Sequence, residues 1–255
     1  CIRDSYLAYN APHTPMEATQ KYLDRFPSLS GKRKTYAAML SAVDDGVGRV
    51  LAKLREHDIE KNTLVFYLSD NGGATNNGST NTPLRAHKGS LYEGGIRVPF
   101  AAQWIGTLPA GVDYDFPVIS LDIMATIVAL TDAPISLDRA LDGVNLIPHL
   151  TGKDDDPPHT QLFWRKFNNM SRAIRFGDFK LVDTDGNTEE MELYDLNTDI
   201  SEQNLLAKQG YDTGGSVDPT NGQAYPVSEM MKSWEEWSKG LKPLAFPTLS
   251  DDVWW

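Results

Sequence analysis

An α/β fold is what this sequence predicts: a mostly parallel sheet flanked by helices, then a small antiparallel-sheet and helix domain. Three observations predict it. Residues 64–68, Leu-Val-Phe-Tyr-Leu, form a short apolar run closed by turn residues, as a buried strand does. Residues 32–57 carry apolar side chains at three-and-four spacing, and residues 5–9 read as a strand. Strand, loop, helix, strand is the βαβ order that implies parallel pairing. After Pro158 the pattern changes to short strand candidates separated by turn signals, which suggests an antiparallel meander.

The elements follow in order. The strand at 5–9 runs into Asn10-Ala11-Pro12-His13-Thr14-Pro15, where two prolines make an extended loop that holds His13 just past a strand end. Residues 16–26 read as a loop with a short helical turn. The helix at 32–57 places Tyr36, Met39, Leu40, Val43, Val47, Val50, Leu51 and Leu54 on one face. Asp44 and Asp45 lie mid-helix, as acids that are solvated or ion-paired. Residues 74–83 are polar and read as a surface loop, 99–104 as a strand, and 118–130 as an apolar helix capped by Ser120 or Asp122. A loop and short helix fill 141–150. Lys153-Asp154-Asp155-Asp156-Pro157-Pro158 reads as a break, which gives domains at 1–152 and 159–255. Strand candidates at 161–164, 171–176, 179–183 and 191–194 have turns between them, Asp185-Gly186-Asn187 among them. A helix at 228–240 carries Trp234 and Trp237, and the terminal Trp254-Trp255 is expected to pack onto the body or a partner.

The 255 residues are 40% hydrophobic, enough for a sizeable core. Twenty-four basic against 35 acidic residues give a formal charge of -11, which argues against general binding to a phosphate backbone. One cysteine, Cys1, leaves no intrachain disulfide and no cysteine-based zinc site. No apolar stretch is long enough to span a membrane, and no signal peptide is visible.

The chemistry gathers at four points: His13, Asp70-Asn71, Lys88, and Glu93-Gly94-Gly95-Ile96-Arg97. A carboxylate beside an amide carbonyl at a strand's C-terminal end suits a hard cation such as calcium or magnesium. Taken alone, Asp70-Asn71-Gly72-Gly73 reads more readily as an ordinary turn after a strand. With a cation, an ammonium group and an imidazole together, the set fits the handling of a tetrahedral oxyanion. The cation and lysine would neutralise charge on oxygen, and the imidazole would exchange a proton with the leaving group.

Here the chain resembles the type I sulfatases of the alkaline phosphatase-like superfamily, specifically the C-terminal portion of one. The resemblance lies in Ala11-Pro12-His13-Thr14-Pro15, Leu68-Ser69-Asp70-Asn71-Gly72-Gly73, and the run from Lys88 through Glu93-Gly94-Gly95-Ile96-Arg97-Val98-Pro99. Ile174-Arg175-Phe176-Gly177-Asp178-Phe179-Lys180-Leu181 and Glu192-Leu193-Tyr194-Asp195-Leu196-Asn197-Thr198-Asp199 resemble the small C-terminal sheet domain of bacterial members. The resemblance implies that Asp70 and Asn71 bind a divalent cation, usually calcium, with magnesium or manganese as alternatives. It implies that Lys88 contacts the sulfate and the leaving-group oxygen, and that His13 contacts the ester and acts as general acid. Glu93 and Arg97 are expected to pair and hold their loop. His57, His87, His149 and His159 have no matching role and are expected to be exposed.

The resemblance also implies a formylglycine nucleophile, made from cysteine in a Cys-x-Pro-x-Arg stretch. Cys1-Ile2-Arg3-Asp4-Ser5 does not match it. The acidic pair that completes the family's metal site is absent too, and Asp44-Asp45 lie on a helix rather than after a first strand. The expectation is a sulfatase truncated at its N-terminus, impaired as it stands, acting on a small-molecule or glycan sulfate ester in the periplasm or outside the cell. The alternatives are a phosphodiesterase or phosphonate monoester hydrolase of the same superfamily, or a non-catalytic remnant that forms homo-oligomers through an exposed sheet edge.

Overall fold

The computed structural model describes residues 4–134, 140–166, 171–184, 191–209, 222 and 224–241. Cys1, the turn at 185–187 and the terminal tryptophans lie outside the described residues. In chain order the elements are α1 (Gln20–Leu23), α2 (Gly31–Glu56), a 3-10 turn (Glu60–Asn62), β1 (Val65–Leu68), α3 (Glu93–Ile96) and β2 (Phe100–Gln103). Then come α4 (Leu121–Thr131), α5 (Ile147–Leu150), β3 (Gln161–Arg165), β4 (Arg172–Phe176), β5 (Phe179–Asp183), β6 (Met191–Asp195), β7 (Ala207–Gln209) and α6 (Val227–Lys239). No described helix is long and apolar enough to cross a membrane. The chain divides into two compact units.

The first unit comprises Cys1–Ser69, Ala74–Ser79 and Pro99–His159. Its longest element is α2, whose Ala38, Met39 and Val43 are buried. Leu40, on the predicted apolar face, is exposed. Asp45 is ion-paired: the Arg25 guanidinium donates to both its oxygens at 2.9 and 2.8 Å and so ties α1 to α2. Residues 5–9 form no strand, which corrects the expectation. A strand exists through its ladder, and none of the described residues pairs with this segment. Tyr9 instead lies over Gly46 of α2, where an added Cβ would stand 2.7 Å from the Tyr9 hydroxyl.

The strands β1 and β2 pair antiparallel, Val65 opposite Gln103 and Leu68 opposite Phe100. This differs from the mostly parallel sheet that the sequence predicts. The βαβ unit expected to give parallel pairing lacks its first strand, because residues 5–9 form none.

In α4 the predicted cap is refined. Ser120 makes no side-chain cap bond, whereas the fully buried Asp122 carboxylate accepts the N–H of Ile119 at 2.8 Å and of Val144 at 2.9 Å. His159 Nε2 lies 2.8 and 3.0 Å from the same carboxylate oxygens, and its side chain is 8% exposed. His149 is also tucked in, its Nδ1 donating to the carbonyl of Asp156 at 3.0 Å. Both correct the expectation of exposed histidines. A histidine beside an acidic linker reads as solvated until the fold closes the linker over it.

The second unit comprises Asp70–Gly73, Thr80–Val98 and Thr160–Trp255. Its centre is a five-stranded antiparallel sheet in the order β3-β4-β5-β6-β7. The meander expected from the sequence is present, with β7 added. Alternation along the strands sends side chains to two faces. Ile174, Leu181, Met191 and Leu193 meet Val227 and Met230 of α6 on one face. Trp237 of α6 stacks on Phe163, ring centroids 5.1 Å apart. Ala173, Val182 and Tyr194 cluster on the other face with Leu91 and Tyr92. The sheet is thus covered by a helix on one side and by the segment leading into α3 on the other.

Candidate active site

The second unit brings three of the four predicted site residues onto interlocked loops. Asp70 is exposed, and Asn71 and Lys88 are half-buried. The Asn71 amide donates from Nδ2 to the carbonyl of Gly72 at 3.0 Å, which sets which end of the amide is the oxygen. Gly73 is the junction. Its N–H donates to Asn81 Oδ1 at 2.7 Å, and its carbonyl accepts the N–H of Lys88 at 3.1 Å and Asn81 Nδ2 at 3.0 Å. Asn81 Nδ2 also donates to the carbonyl of Ala86 at 3.1 Å. One asparagine therefore ties the Asp70-Asn71 turn to the loop that carries Lys88. Asn81 has no matching motif, and its signal in the sequence was merely a polar loop.

The glycines explain how the loops come so close. Gly72 donates its N–H to the carbonyl of Gly95 at 3.0 Å, and Gly94 donates to the carbonyl of Arg85 at 2.8 Å. A Cβ on Gly72 would lie 1.8 Å from the oxygen of Gly94, one on Gly94 2.3 Å from that of Arg85, and one on Gly95 2.2 Å from that of Ser90. Backbone lies directly on backbone here, which only glycine permits. Ala86 has a φ of 64°, rare for a residue with a Cβ.

Glu93, expected to pair with Arg97, has a different main partner. Its Oε1 accepts from Lys180 Nζ at 2.7 Å, whereas Arg97 Nη1 is 3.9 Å from Oε2 and over half exposed. Lys180 Nζ also meets Glu202 Oε1 at 2.8 Å, and Glu202 Oε2 accepts the backbone N–H of Glu93 at 2.6 Å. All three side chains are buried: Lys180 and Glu202 are 0% exposed and Glu93 is 3%. Burial pushes the Glu202 carboxyl up, against the pull of Lys180. The reading by motif passed over Lys180 and Glu202. The available signal was a lysine at an inward strand position, in register opposite the buried Tyr194.

Arg85 closes the arrangement. Its guanidinium lies 3.8 Å from the Tyr92 ring centroid and donates to Tyr194 Oη at 2.7 Å and to the Glu202 carbonyl at 2.9 Å. The hydroxyls of Tyr92 and Tyr194 both donate to Glu192 Oε2, at 2.5 and 2.6 Å.

His13 belongs to the first unit and is exposed. Its backbone N–H donates to the carbonyl of Asn10 at 2.9 Å, and its Nδ1 is 2.7 Å from the carbonyl of Thr14. A carbonyl can only accept, so Nδ1 carries a proton in this contact.

As metal ligands, Asp70 and Asn71 fit in kind, offering a carboxylate and an amide on a braced turn. Calcium takes about six to eight oxygens, so two residues are part of a shell. Among the described residues no group of three or more His, Cys, Asp or Glu is placed to hold a metal.

Comparison with known proteins identifies the family. Residues 5–133 match the sulfatase family model, and residues 86–213 match the model for the C-terminal region of N-sulphoglucosamine sulphohydrolase. The chain belongs to the sulfatase family, the type I sulfatases of the alkaline phosphatase-like superfamily. It is 35% identical over 162 residues to the uncharacterized sulfatase YdeN of Escherichia coli, covering 62% of this chain and 29% of that one. It is 35% identical over 181 residues to N-acetylgalactosamine-6-sulfatase of Mus musculus, covering 69% and 33%. The chain thus spans about a third of the length of these curated relatives. Among solved structures, Ps i-CgsB in complex with k-i-k-neocarrahexaose superposes with a TM-score of 0.81 at 33% identity, over 97% of this chain and 52% of that one. The phosphonate monoester hydrolase of Agrobacterium radiobacter superposes with a TM-score of 0.52 at 25% identity, over 68% and 36%.

Proposed function

We propose that this chain carries part of a site for hydrolysing sulfate esters, with a sulfated glycan as the favoured substrate class. The observation that carries the reading is the glycine-interlocked pair of loops that brings Asp70, Asn71 and Lys88 together in a chain of the sulfatase family. The likeness to a protein crystallised with a neocarrahexaose supports the glycan class.

In this reading Asp70 and Asn71 hold a divalent cation, calcium first, through the carboxylate and the amide oxygen. That ion, when bound, neutralises charge on the non-bridging ester oxygens. The Lys88 ammonium stabilises the negative charge that develops as the ester bond lengthens. The family resemblance gives His13 the role of general acid, which it can fill only as the imidazolium, with a proton on each ring nitrogen. The 255 residues contain no Cys-x-Pro-x-Arg stretch, so the family's nucleophile is not encoded in them. The site as present here is therefore impaired, and full turnover belongs to a chain that supplies the nucleophile. A periplasmic or secreted setting is part of the same proposal.

Hydrolysis of an aryl sulfate and of a sulfated carrageenan oligosaccharide, with and without calcium and beside Lys88→Ala, tests it. Calcium-dependent release of sulfate lost in Lys88→Ala is the expected result for a chain that includes the nucleophile. Release unaffected by Lys88→Ala in that chain would sink the assignment. The likeness to a phosphonate monoester hydrolase favours one second reading. Faster cleavage of an aryl phosphonate than of the sulfate would establish it.

A further inference from the structure

We infer that Lys180 and Glu202 are positioning residues for the loops that carry Asp70, Asn71 and Lys88; the inference rests on the proposed sulfate-ester site. Lys180 stands on β5 with its ammonium between two carboxylates, 2.7 Å from Glu93 and 2.8 Å from Glu202. Three buried charged groups are tolerable only because they meet one another. Such a cluster adds little stability over a well-packed apolar one, so its value lies in the geometry that it enforces.

That geometry is the first residue of α3. Lys180 holds the Glu93 side chain, and Glu202 Oε2 holds the Glu93 backbone N–H at 2.6 Å. The next two residues are Gly94 and Gly95, whose backbones bear on Arg85, Ser90 and Gly72 with no room to spare. A displacement of Glu93 therefore passes directly to the Gly72 turn and to the 85–90 loop. The Lys88 N–H rests on Gly73, so both loops move with α3. Arg85 supplies a second link, because its guanidinium donates to the carbonyl of Glu202 at 2.9 Å. Glu202 thus meets both ends of the segment from Arg85 to Glu93. Its φ of 52° is a conformation L residues seldom adopt, retained where side chain and carbonyl are both engaged. No motif of the family resemblance assigns a role to either residue.

Amide hydrogen exchange on the 255-residue chain tests this, with Lys180→Met, the isosteric Glu202→Gln, and Met230→Ala as a core control on the opposite sheet face. The expected result is exchange at Gly72 and Lys88 at least tenfold faster in Lys180→Met and at least threefold faster in Glu202→Gln. The ladder amides of β4 and β5 stay near wild type in both. In Met230→Ala the Gly72 and Lys88 amides are no more affected than the ladder. Rates at Gly72 and Lys88 within twofold of wild type would overturn the inference, as would the same site-selective pattern in Met230→Ala. If Lys180→Met does not fold, Glu202→Gln alone decides. Wild-type amides already unprotected at Gly72 and Lys88 also overturn it. Terbium luminescence on a longer chain that supplies the rest of the metal shell separates the two readings: absence of binding there counts against the cation at Asp70-Asn71 and leaves the exchange result standing.

Discussion

The N–H of Gly72 reaches the carbonyl of Gly95 at 3.0 Å, and a Cβ on Gly72 would lie 1.8 Å from the oxygen of Gly94. The distance is far inside van der Waals contact, and the obstacle is backbone that cannot rotate away. Gly72→Ala is expected to destabilise the chain by about 3 kcal/mol or more, in the range of overpacked cores. Gly48 is the control, since a Cβ there meets nothing within 4 Å and the residue lies within α2. Gly48→Ala should stabilise by roughly 0.5–1 kcal/mol, because alanine loses less backbone entropy in a helix. Urea unfolding of the two variants, opposite in sign, checks both.

Asp122 is expected to be among the least replaceable polar residues of the first unit. Its carboxylate serves Ile119, Val144 and His159 while fully buried. Asp122→Ala leaves two backbone N–H groups and the imidazole without their acceptor. A loss of about 3–5 kcal/mol is expected, as for other broken buried pairs. Asp122→Asn, which keeps one acceptor oxygen, should lose clearly less. Denaturant unfolding that ranks the two variants the other way would refute the account.

The tyrosine pair predicts a base-side limit to stability. Burial and the hydrogen bond to Glu192 push the Tyr194 hydroxyl up to about 12, with Arg85 working in the other direction. The same causes raise Tyr92 further. The folded chain therefore keeps these protons at a pH where the unfolded chain, near 10, gives them up. Their contribution is fully present below pH 10 and falls away as pH rises toward 12. Tyrosinate absorbance should show a late step coincident with unfolding, and Tyr194→Phe should flatten the pH dependence of stability over that interval. A dependence unchanged in Tyr194→Phe would count against the assignment.

Much of this was legible in the sequence where a local rule applies. The helix at 31–56 follows from periodicity, and the antiparallel meander follows from alternation and turns. Asp70, Asn71 and Lys88 stood out as residue types beside glycines, and the structure joins their backbones through Gly73. What was hidden depends on partners far along the chain. Residues 5–9 look like a strand by composition but lack a ladder. The expected βαβ unit around the helix at 31–56 lacks its first strand for the same reason, and β1 pairs antiparallel with β2 instead. Glu93 pairs with Arg97, four positions away, as the local spacing suggests, but its shorter contact is to Lys180, 87 positions away. His159 was read as exposed because its partner Asp122 is 37 positions back.

The cover over the inner sheet face also dictates an order of assembly. The turn between β4 and β5 joins residues that are near neighbours in sequence, so that hairpin closes a short loop. The Lys180–Glu93 and Arg85–Tyr194 contacts span 87 and 109 positions and close long ones. Long closure is entropically dearer and slower, so the meander should organise first and serve as the template onto which the 85–96 segment docks. In transition-state terms, Leu181→Ala should slow folding, whereas Tyr92→Phe should mainly hasten unfolding. The loops bearing Asp70, Asn71 and Lys88 would then be the last part of this unit to form and the first to come undone under stress.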